Sequence, residues 1–162
     1  MGQSYSIKFG ISKSNYDTIV TMDGDCQNDP KDIHKLLSIY FTENDIKLVG
    51  GIRNKRKDNI IKIISSKIAN YIRSRILKDN CTDTGCSLKV FSRKIFNSFN
   101  YFDGMHRFLP ALFSGHGYKT KFVNVNHRKR KKGYSKYGTF DRLTKGIIDL
   151  IKVKRMLDKI ND

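Results

Sequence analysis

The sequence lacks any apolar run that approaches the roughly 20 residues needed for a membrane-spanning helix. Its amino end also lacks the basic-then-apolar layout of a secretory signal peptide. Cysteine is scarce: Cys26, Cys81 and Cys86 are too few for a disulfide framework, and no further Cys or His lies near Cys81 and Cys86 in the sequence to complete a zinc site. These absences predict a cytoplasmic protein with reduced thiols.

Acidic residues are also scarce. Glu43 is the single glutamate, and 32 Lys and Arg residues against 15 Asp and Glu residues give a net charge of +17. A nucleic acid, an anionic membrane surface and a polyanionic substrate are all candidate partners for such a chain. A compositional drift towards Lys, Ile and Asn explains part of the excess, but it does not explain the cluster of cations at Arg128–Lys132.

What the sequence does contain is typical of a globular protein. Hydrophobic residues make up 38% of the chain and aromatic residues 11%, which argues against disorder. The 162 residues are the length of one ordinary domain and can bury a core. We find neither an internal repeat nor a linker.

The most informative motif is the acidic turn Asp23-Gly24-Asp25, which follows the apolar run Thr18–Val20. This run is typical of a buried strand, and open α/β sheets bind ligands at the carboxyl ends of their strands. Side chains alternate along an extended backbone, so Asp23 and Asp25 should point the same way. Together they offer hard oxygen ligands for Mg²⁺ or Mn²⁺ carrying a substrate diphosphate. The alternative is an ordinary acidic turn without a ligand, which is what an Asp-x-Asp sequence on its own usually indicates.

The hydrophobic periodicity predicts alternating helices and strands, and therefore an α/β fold. The expected helices cover 2–16, a segment that starts at Pro30 with Asp29 as its cap, 60–78, and Thr139 to the end; the expected strands cover 18–22, 46–49, 87–91 and 119–126. Gly50 and Gly51 should end the second strand. The helix over 60–78 carries one apolar stripe, formed by Ile60, Ile64, Ile68, Ile72 and Ile76.

The start of the chain is unusual for a nucleotide-binding sheet. A helix leads directly into the strand before Asp23, whereas such a sheet normally begins with strands of its own. We therefore expect a sheet that lacks its first βα units, as in an amino-terminally truncated chain.

A second set of polar residues follows the acidic turn. Asp83 precedes a strand, where it could serve a site or cap a turn, and His106 and Arg107 stand at a predicted helix start, where a structural role for the histidine is the commoner one. Arg128 begins the basic cluster. The next segment, 133–138, is bracketed by glycines and carries Ser135 and Lys136, whose donors could surround a phosphate.

Four motifs follow one another along the chain. They are Asp-Gly-Asp-Cys-Gln-Asn-Asp-Pro at 23–30, Asp-Thr-Gly-Cys-Ser-Leu-Lys-Val-Phe at 83–91, His-Arg-Phe-Leu-Pro-Ala-Leu at 106–112, and His-Arg-x(4)-Gly-x-Ser-Lys-Tyr-Gly at 127–138. In this order they resemble the family-2 glycosyltransferases, in particular the branch of dolichol-phosphate mannose synthase and the bacterial polyprenyl-phosphate glycosyltransferases. The resemblance covers nearly the whole chain. It implies a GT-A-like mixed sheet flanked by helices, a nucleotide-sugar donor, a divalent metal, and a polyprenyl phosphate acceptor at the membrane.

The resemblance also implies roles for single residues. Asp23 and Asp25 would bind the metal and the donor diphosphate, and Gln27 would steady that site through a hydrogen bond. Asp25 and Asp83 would be catalytic, with Asp83 near the reacting sugar as an orienter or a base. The acceptor phosphate would contact a set of polar residues from the later motifs, namely His106, Arg107, Arg128, Ser135 and Lys136.

We expect residues 1–138 to form a partial GT-A domain and residues 139–162 to form a C-terminal amphipathic helix. Its apolar residues are Leu143, Ile147, Leu150, Ile151 and Leu157. Packing of this helix on the domain is at least as plausible as membrane binding for residues 140–151, whereas membrane contact is favoured for residues 152–160. The expected location is cytoplasmic, peripheral at the inner face of the membrane.

Two rival interpretations remain open at this stage. A basic nucleic-acid-binding module would explain the charge, with Tyr134 and Tyr137 as stacking platforms, but it would leave Asp23, Asp25 and Asp83 without a purpose. A degenerate, inactive fragment would keep the fold without the donor site. Only the glycosyltransferase interpretation predicts metal-dependent binding of a sugar nucleotide.

Overall fold

The structure is a computed structural model of the chain that describes residues 2–54, 60–128 and 139–161. In chain order the elements are α1 (Gln3–Ser12), β1 (Thr18–Thr21), α2 (Asp32–Thr42), β2 (Ile46–Arg53), α3 (Ile60–Leu77), β3 (Lys89–Ser92), α4 (Arg93–Ser98), a 3₁₀ turn (Met105–Arg107), α5 (Leu109–Gly115), β4 (Lys119–Val125) and α6 (Thr139–Asn161).

The four strands form one mixed sheet in the order β1-β3-β2-β4. Strand β3 is antiparallel to both of its neighbours, and β2 is parallel to β4. Strands β1, β2 and β4 therefore run in the same direction and end at the same edge of the sheet, where β3 begins. The predicted α/β class, a mixed sheet flanked by helices, is confirmed.

Two cores cover the two faces of the sheet, because successive strand side chains point to opposite sides. Leu48 and Phe91 belong to the larger core with residues of α5 and α6, whereas Val49 and Val90 pack with Leu36 of α2. Helices packed on both faces of the sheet hold the strands in place, and with them the strand ends at which the candidate site lies.

The glycine pair does not end the second strand, contrary to the prediction. Strand β2 continues through Gly50 and Gly51 to Arg53. A Cβ on Gly51 would lie 2.9 Å from Cys86 Sγ and 2.9 Å from Val125 Cγ2, and one on Gly50 would lie 2.9 Å from Phe122 Cδ1. The glycines are in the strand because neighbouring side chains fill the space over them.

The first two helices also differ from the prediction. Helix α1 ends at Ser12 rather than near residue 16. Helix α2 begins at Asp32, because the Asp29 carboxylate accepts the Lys31 N–H (3.1 Å) and holds residues 29–31 in a turn. The Asp32 carboxylate in turn accepts the Asn126 N–H (2.7 Å), which ties the start of α2 to the end of β4.

The isoleucine stripe of α3 does not face the core. Ile64, Ile68, Ile72 and Ile76 are exposed, and the side chain of Ile60 lies outside the described residues. Among the α3 side chains that the structure describes, at 64 and 66–77, the buried ones are Arg73, which pairs with the buried Asp79, and Leu77. This ion pair and Leu77 orient the helix so that the isoleucines face away from the sheet.

Helix α6 divides the apolar residues that were expected on one face. Of these residues, Leu157 is buried in the larger core beside Gly115 of α5, and Leu150 is partly buried against the same core, whereas Ile147 and Ile151 are exposed. Val153, which the prediction did not include, is buried with Leu157, and the side chain of Leu143 lies outside the described residues. Residues 153 and 157 are four apart and share one helix face, and residues 147 and 151 share another. The preference for membrane contact over residues 152–160 is therefore wrong for Val153 and Leu157, which contact the domain instead. Within the described ranges, the structure contains no helix with the length and apolarity needed to cross a membrane.

Candidate functional site

The acidic turn is fixed to the segment that leads into β3. The Asp23 N–H donates to Ser87 Oγ (3.0 Å), and the Ser87 hydroxyl donates to Asn28 Oδ1 (2.9 Å). The Thr21 hydroxyl donates to the Ser87 carbonyl (2.8 Å). Asp83 and Ser87 therefore belong to the segment that lies beside the Asp23 turn, at the edge where β1 ends and β3 begins.

Asp23 and Asp25 are both partly exposed at this edge. Asp23 Oδ1 accepts a hydrogen bond from Gln3 Nε2 (3.1 Å), and Asp25 Oδ1 accepts one from the Gln27 N–H (3.1 Å). The backbone turns at Cys26, between Asp25 and Gln27, where φ is 63°. Carboxylate oxygens are hard ligands, so both side chains suit a divalent cation.

The donor set fits a cation that shares its ligands with a substrate. Among the residues that the structure describes, no three His, Cys, Asp or Glu side chains form a group that could hold a metal ion by themselves. Mg²⁺ is commonly bound by one or two carboxylates together with phosphate oxygens of the substrate and water. Asp23 and Asp25 match this partial set.

The basic segment starts next to the acidic turn. Asn28 and His127 form an isolated antiparallel bridge, and the Arg128 N–H donates to the Gln27 carbonyl (2.8 Å). Gln27 Nε2 lies 3.4 Å from His127 Nε2 and 3.4 Å from the Arg128 carbonyl. Gln27 thus contacts Asp25 through its backbone and the end of β4 through its side chain. His127 was not among the predicted site residues, although its place just after β4 parallels that of Asp23 after β1.

The guanidinium of Arg128 lies beside the acidic turn, next to Asp29. Its Nη2 lies 2.7 Å from Asp29 Oδ2, and this hydrogen bond is the main reason that the pKa of Asp29 is lowered. About half of the Arg128 side chain remains exposed to solvent. Ser135, Lys136 and the cations at 129–132 lie outside the described residues.

Asp83 is buried and held by Arg53, a residue that the sequence did not single out. Arg53 Nε donates to Asp83 Oδ2 (2.8 Å), Nη2 donates to Oδ1 (2.7 Å), and the Arg53 N–H also donates to Oδ2 (3.0 Å). A Cβ on Gly85 would lie 2.6 Å from Arg53 Nη2, so glycine at this position leaves room for the guanidinium. Such engagement favours an orienting role for Asp83 over proton transfer.

Lys89 is a second residue that the sequence analysis missed. Lys89 lies two residues before Phe91 in β3 and therefore on the sheet face that carries the larger core. Only 4% of the residue is exposed, and its ammonium donates to the Cys86 carbonyl. Burial lowers the pKa of Lys89, while the nearby Cys86, Cys81, Asp83 and Asp23 oppose this shift. The sequence did contain a signal for this residue, because a lysine within the apolar run 88–91 indicates a buried amine.

His106 and Arg107 have structural contacts. Ser4 Oγ accepts the Gly104 N–H (2.8 Å) and shares a second hydrogen bond with His106 Nδ1 (2.6 Å). Burial, with the charge of Arg107 next in size, lowers the pKa of His106 to about 4, so this imidazole is neutral near pH 7. Arg107 is paired with Asp149 of α6. The acceptor roles of these two residues stay predictions.

Solved structures that are similar to this chain support the expected GT-A-like fold. Glucosyl-3-phosphoglycerate synthase from Mycobacterium tuberculosis, in complex with Mn²⁺, uridine-diphosphate-glucose and glycerol 3-phosphate, has a TM-score of 0.66 at 16% identity, over 100% of this chain and 57% of that one. Mannosyl-3-phosphoglycerate synthase from Rubrobacter xylanophilus also has a TM-score of 0.66, at 12% identity, over 98% of this chain and 51% of that one.

Curated relatives are polyprenyl-phosphate sugar transferases. Dodecaprenyl-phosphate galacturonate synthase from Rhizobium johnstonii is 37% identical over 155 residues, which are 94% of this chain and 45% of that protein. Undecaprenyl-phosphate 4-deoxy-4-formamido-L-arabinose transferase from Yersinia pestis is 30% identical over 150 residues, or 93% of this chain and 45% of that protein. The chain thus spans a little under half the length of these relatives.

The family comparison agrees with the motifs. The model of the family described as "Glycosyl transferase family 2" matches residues 1–99, which include the acidic turn and Asp83. The chain belongs to glycosyl transferase family 2.

Proposed function

We propose that this chain forms the donor-site part of a glycosyltransferase that moves a sugar from a nucleotide-sugar donor to a polyprenyl phosphate. The observation that carries the proposal is the juxtaposition of Asp23 and Asp25 with Arg128 at one edge of the sheet. Carboxylates suit a metal-bound diphosphate, and a cation beside them suits a second phosphate. The names of the curated relatives support a polyprenyl phosphate as the acceptor.

Asp23 and Asp25 would hold Mg²⁺ or Mn²⁺, which supplies neutralisation of the negative charge on the departing diphosphate. The hydrogen bond from the Asp23 N–H to Ser87 Oγ fixes the backbone of the turn, and the Gln27 N–H holds the Asp25 carboxylate. Ligands that are fixed in this way require little reorganisation on binding.

The acceptor needs positioning more than activation. A lipid phosphate is largely ionised at neutral pH because its second pKa is about 6. Arg128, together with Ser135 and Lys136 in the proposed acceptor segment, would reduce its repulsion from the donor diphosphate. Asp83, held by Arg53, would orient the sugar. A direct in-line attack on the anomeric carbon would invert its configuration, and no covalent protein nucleophile is required.

The site of action in this proposal is the inner face of the membrane, with peripheral attachment. An acceptor with a polyprenyl tail resides in a bilayer, and the net charge of +17 favours an anionic membrane surface. The division into a domain over 1–138 and an amphipathic helix over 139–162 remains part of the proposal. The rival nucleic-acid module gains no support from the comparisons or from the acidic residues at the site.

Transfer can be tested directly with the purified chain. A panel of radiolabelled nucleotide sugars is incubated with undecaprenyl phosphate and Mg²⁺ or Mn²⁺, and the label in the lipid fraction is counted. We expect metal-dependent transfer from one donor, and we expect Asp25→Asn to abolish it. Asp45→Asn is the control and should keep the activity, because the Asp45 carboxylate is exposed at the opposite end of β2. Absence of transfer from every donor, or equal transfer by both variants, would contradict the proposal.

A further inference from the structure

Lys89 is a buried cation without a role in the transfer proposed above. It is the first residue of β3, opposite Thr21 of β1 and Gly50 of β2 in the sheet. The residue is buried, and lysine is among the residue types that proteins bury least often. An ammonium that leaves water loses its hydration, and only a close carboxylate or a full set of hydrogen bonds offsets that loss.

The fold offsets little of this loss. An ammonium has three N–H groups to donate. Among the residues that the structure describes, Lys89 donates to one acceptor, the Cys86 carbonyl. Burial is also the main reason that the pKa of Lys89 is lowered. A methionine would fill a similar space without this cost, so the stability of the fold does not account for a lysine at this position.

The acceptor carbonyl belongs to a segment that joins the two parts of the candidate site. This segment, which we call the Asp83 segment, runs from Asp83 to the start of β3. It contains Ser87, whose Oγ accepts the Asp23 N–H (3.0 Å). Within the segment, the Cys86 N–H donates to the Asp83 carbonyl (3.3 Å). Lys89 therefore holds the segment at Cys86, next to the residue that contacts the acidic turn.

We propose that Lys89 is a positioning residue of the donor site, whose ammonium holds the Asp83 segment against the acidic turn through the Cys86 carbonyl. The metal-bound diphosphate would lie at Asp23 and the sugar at Asp83, so a shift of this segment would misalign the two. A misplacement of about 1 Å is enough to cost much of an enzyme's rate. The inference rests on the proposed function, and it adds a residue that acts without touching the substrate.

Lys89→Met separates a positioning role from a purely structural one. Methionine keeps an unbranched side chain and removes the cation, so the free energy of unfolding in urea should stay the same or rise. The complex with Mn²⁺ and uridine diphosphate should nevertheless bind about tenfold more weakly, because the segment no longer holds the acidic turn in one position. A residue that only supports the fold would do the reverse, lowering stability and leaving the affinity of the folded protein unchanged.

A double-mutant cycle with Ser87→Ala tests the path through the segment. Ser87→Ala releases the Asp23 N–H and should weaken the same complex about fivefold. If both residues act through one segment, the double variant should be about tenfold weaker than the wild type, whereas independent effects would multiply to about fiftyfold. Ser92→Ala is the matched control at the far end of β3, where Ser92 donates to Asp17 (2.8 Å), and it should leave the affinity unchanged.

Hydrogen–deuterium exchange of the free protein gives a second readout that needs no ligand. The Asp23 amide and the amides of the Asp83 segment should exchange faster in Lys89→Met, whereas those of α5 should not. Unchanged affinity in folded Lys89→Met, effects that multiply in the cycle, or failure of Lys89→Met to fold would each overturn the inference. If the wild type forms no complex with Mn²⁺ and uridine diphosphate, the proposed function is contradicted instead, and unchanged exchange in Lys89→Met then overturns the positioning role separately.

Discussion

Arg53 and the buried Asp83 form a largely buried, bidentate ion pair between the end of β2 and the segment before β3, with contacts of 2.8 Å and 2.7 Å. The pair joins two segments that are 30 residues apart in the chain. It also fixes the carboxylate for which we propose an orienting role towards the sugar.

Arg53→Met should lower the free energy of unfolding by about 2–3 kcal/mol, because it leaves the Asp83 carboxylate buried without its guanidinium partner. Urea denaturation measures this loss. Lys119→Met is the matched control, since Lys119 and Asp45 form an equally short pair whose side chains are about 70% exposed. The buried-pair account is wrong if both substitutions destabilise the protein to the same extent.

Gly51→Ala should destabilise the protein by about 1–3 kcal/mol, because the new methyl group would collide with Cys86 and Val125 in a filled core. Gly10→Ala provides the control: nothing lies within 4 Å of a Cβ at that helical position. It should stabilise α1 by about 0.5–1 kcal/mol. Thermal or urea unfolding of the two variants should therefore move in opposite directions.

His106 should make stability depend on pH. Its pKa is lowered from 6.5 to about 4, so between these values the unfolded chain takes up a proton that the folded protein does not. The free energy of unfolding should therefore fall on acidification, by about 2 kcal/mol from this group between about pH 7.5 and about pH 5. His106→Gln should remove that part of the pH dependence, whereas substitution of the exposed His34 by Gln should leave it in place.

Arg128→Ala should raise the KM for the lipid phosphate about tenfold or more, and should change donor binding less, because a charge-assisted hydrogen bond to the acceptor is lost. Substitution of Asp29 by Asn, which releases Arg128 from its ion pair, should not weaken acceptor use in this way. Steady-state kinetics with varied donor and varied acceptor provide both values. Equal losses for donor and acceptor in Arg128→Ala would argue against an acceptor contact.

The fold was largely predictable because its elements have local signals. The apolar run before Asp23 and the helical spacing of isoleucines in α3 are properties of short segments. The extension of β2 through Gly50 and Gly51 was not predictable, since it depends on Phe122, Cys86 and Val125, which the fold brings from later in the chain. The direction that the α3 stripe faces likewise depends on the pairing of Arg73 with Asp79.

Some residues of the candidate site were likewise predictable from local sequence, whereas others depend on contacts that only the fold creates. Asp23 and Asp25 were identified because a strand and two carboxylates are adjacent in the sequence. Arg53 was missed because its significance arises from its contact with Asp83, which lies 30 residues further along the chain. Lys89 was missed because only the folded sheet buries its side chain, whose ammonium donates to the Cys86 carbonyl. His127 reaches the acidic turn only because β1 and β4 end at the same edge.

The central claim is that the Asp23–Asp25 turn binds a divalent cation together with a diphosphate. Titration of the purified chain with Mn²⁺, with and without uridine diphosphate and followed by the electron paramagnetic resonance signal of the free ion, tests it most directly. We predict that uridine diphosphate strengthens Mn²⁺ binding, and that Asp25→Asn weakens the ternary complex at least tenfold while Asp45→Asn does not. Mn²⁺ binding that is the same in wild type and Asp25→Asn, with or without the diphosphate, would contradict the account.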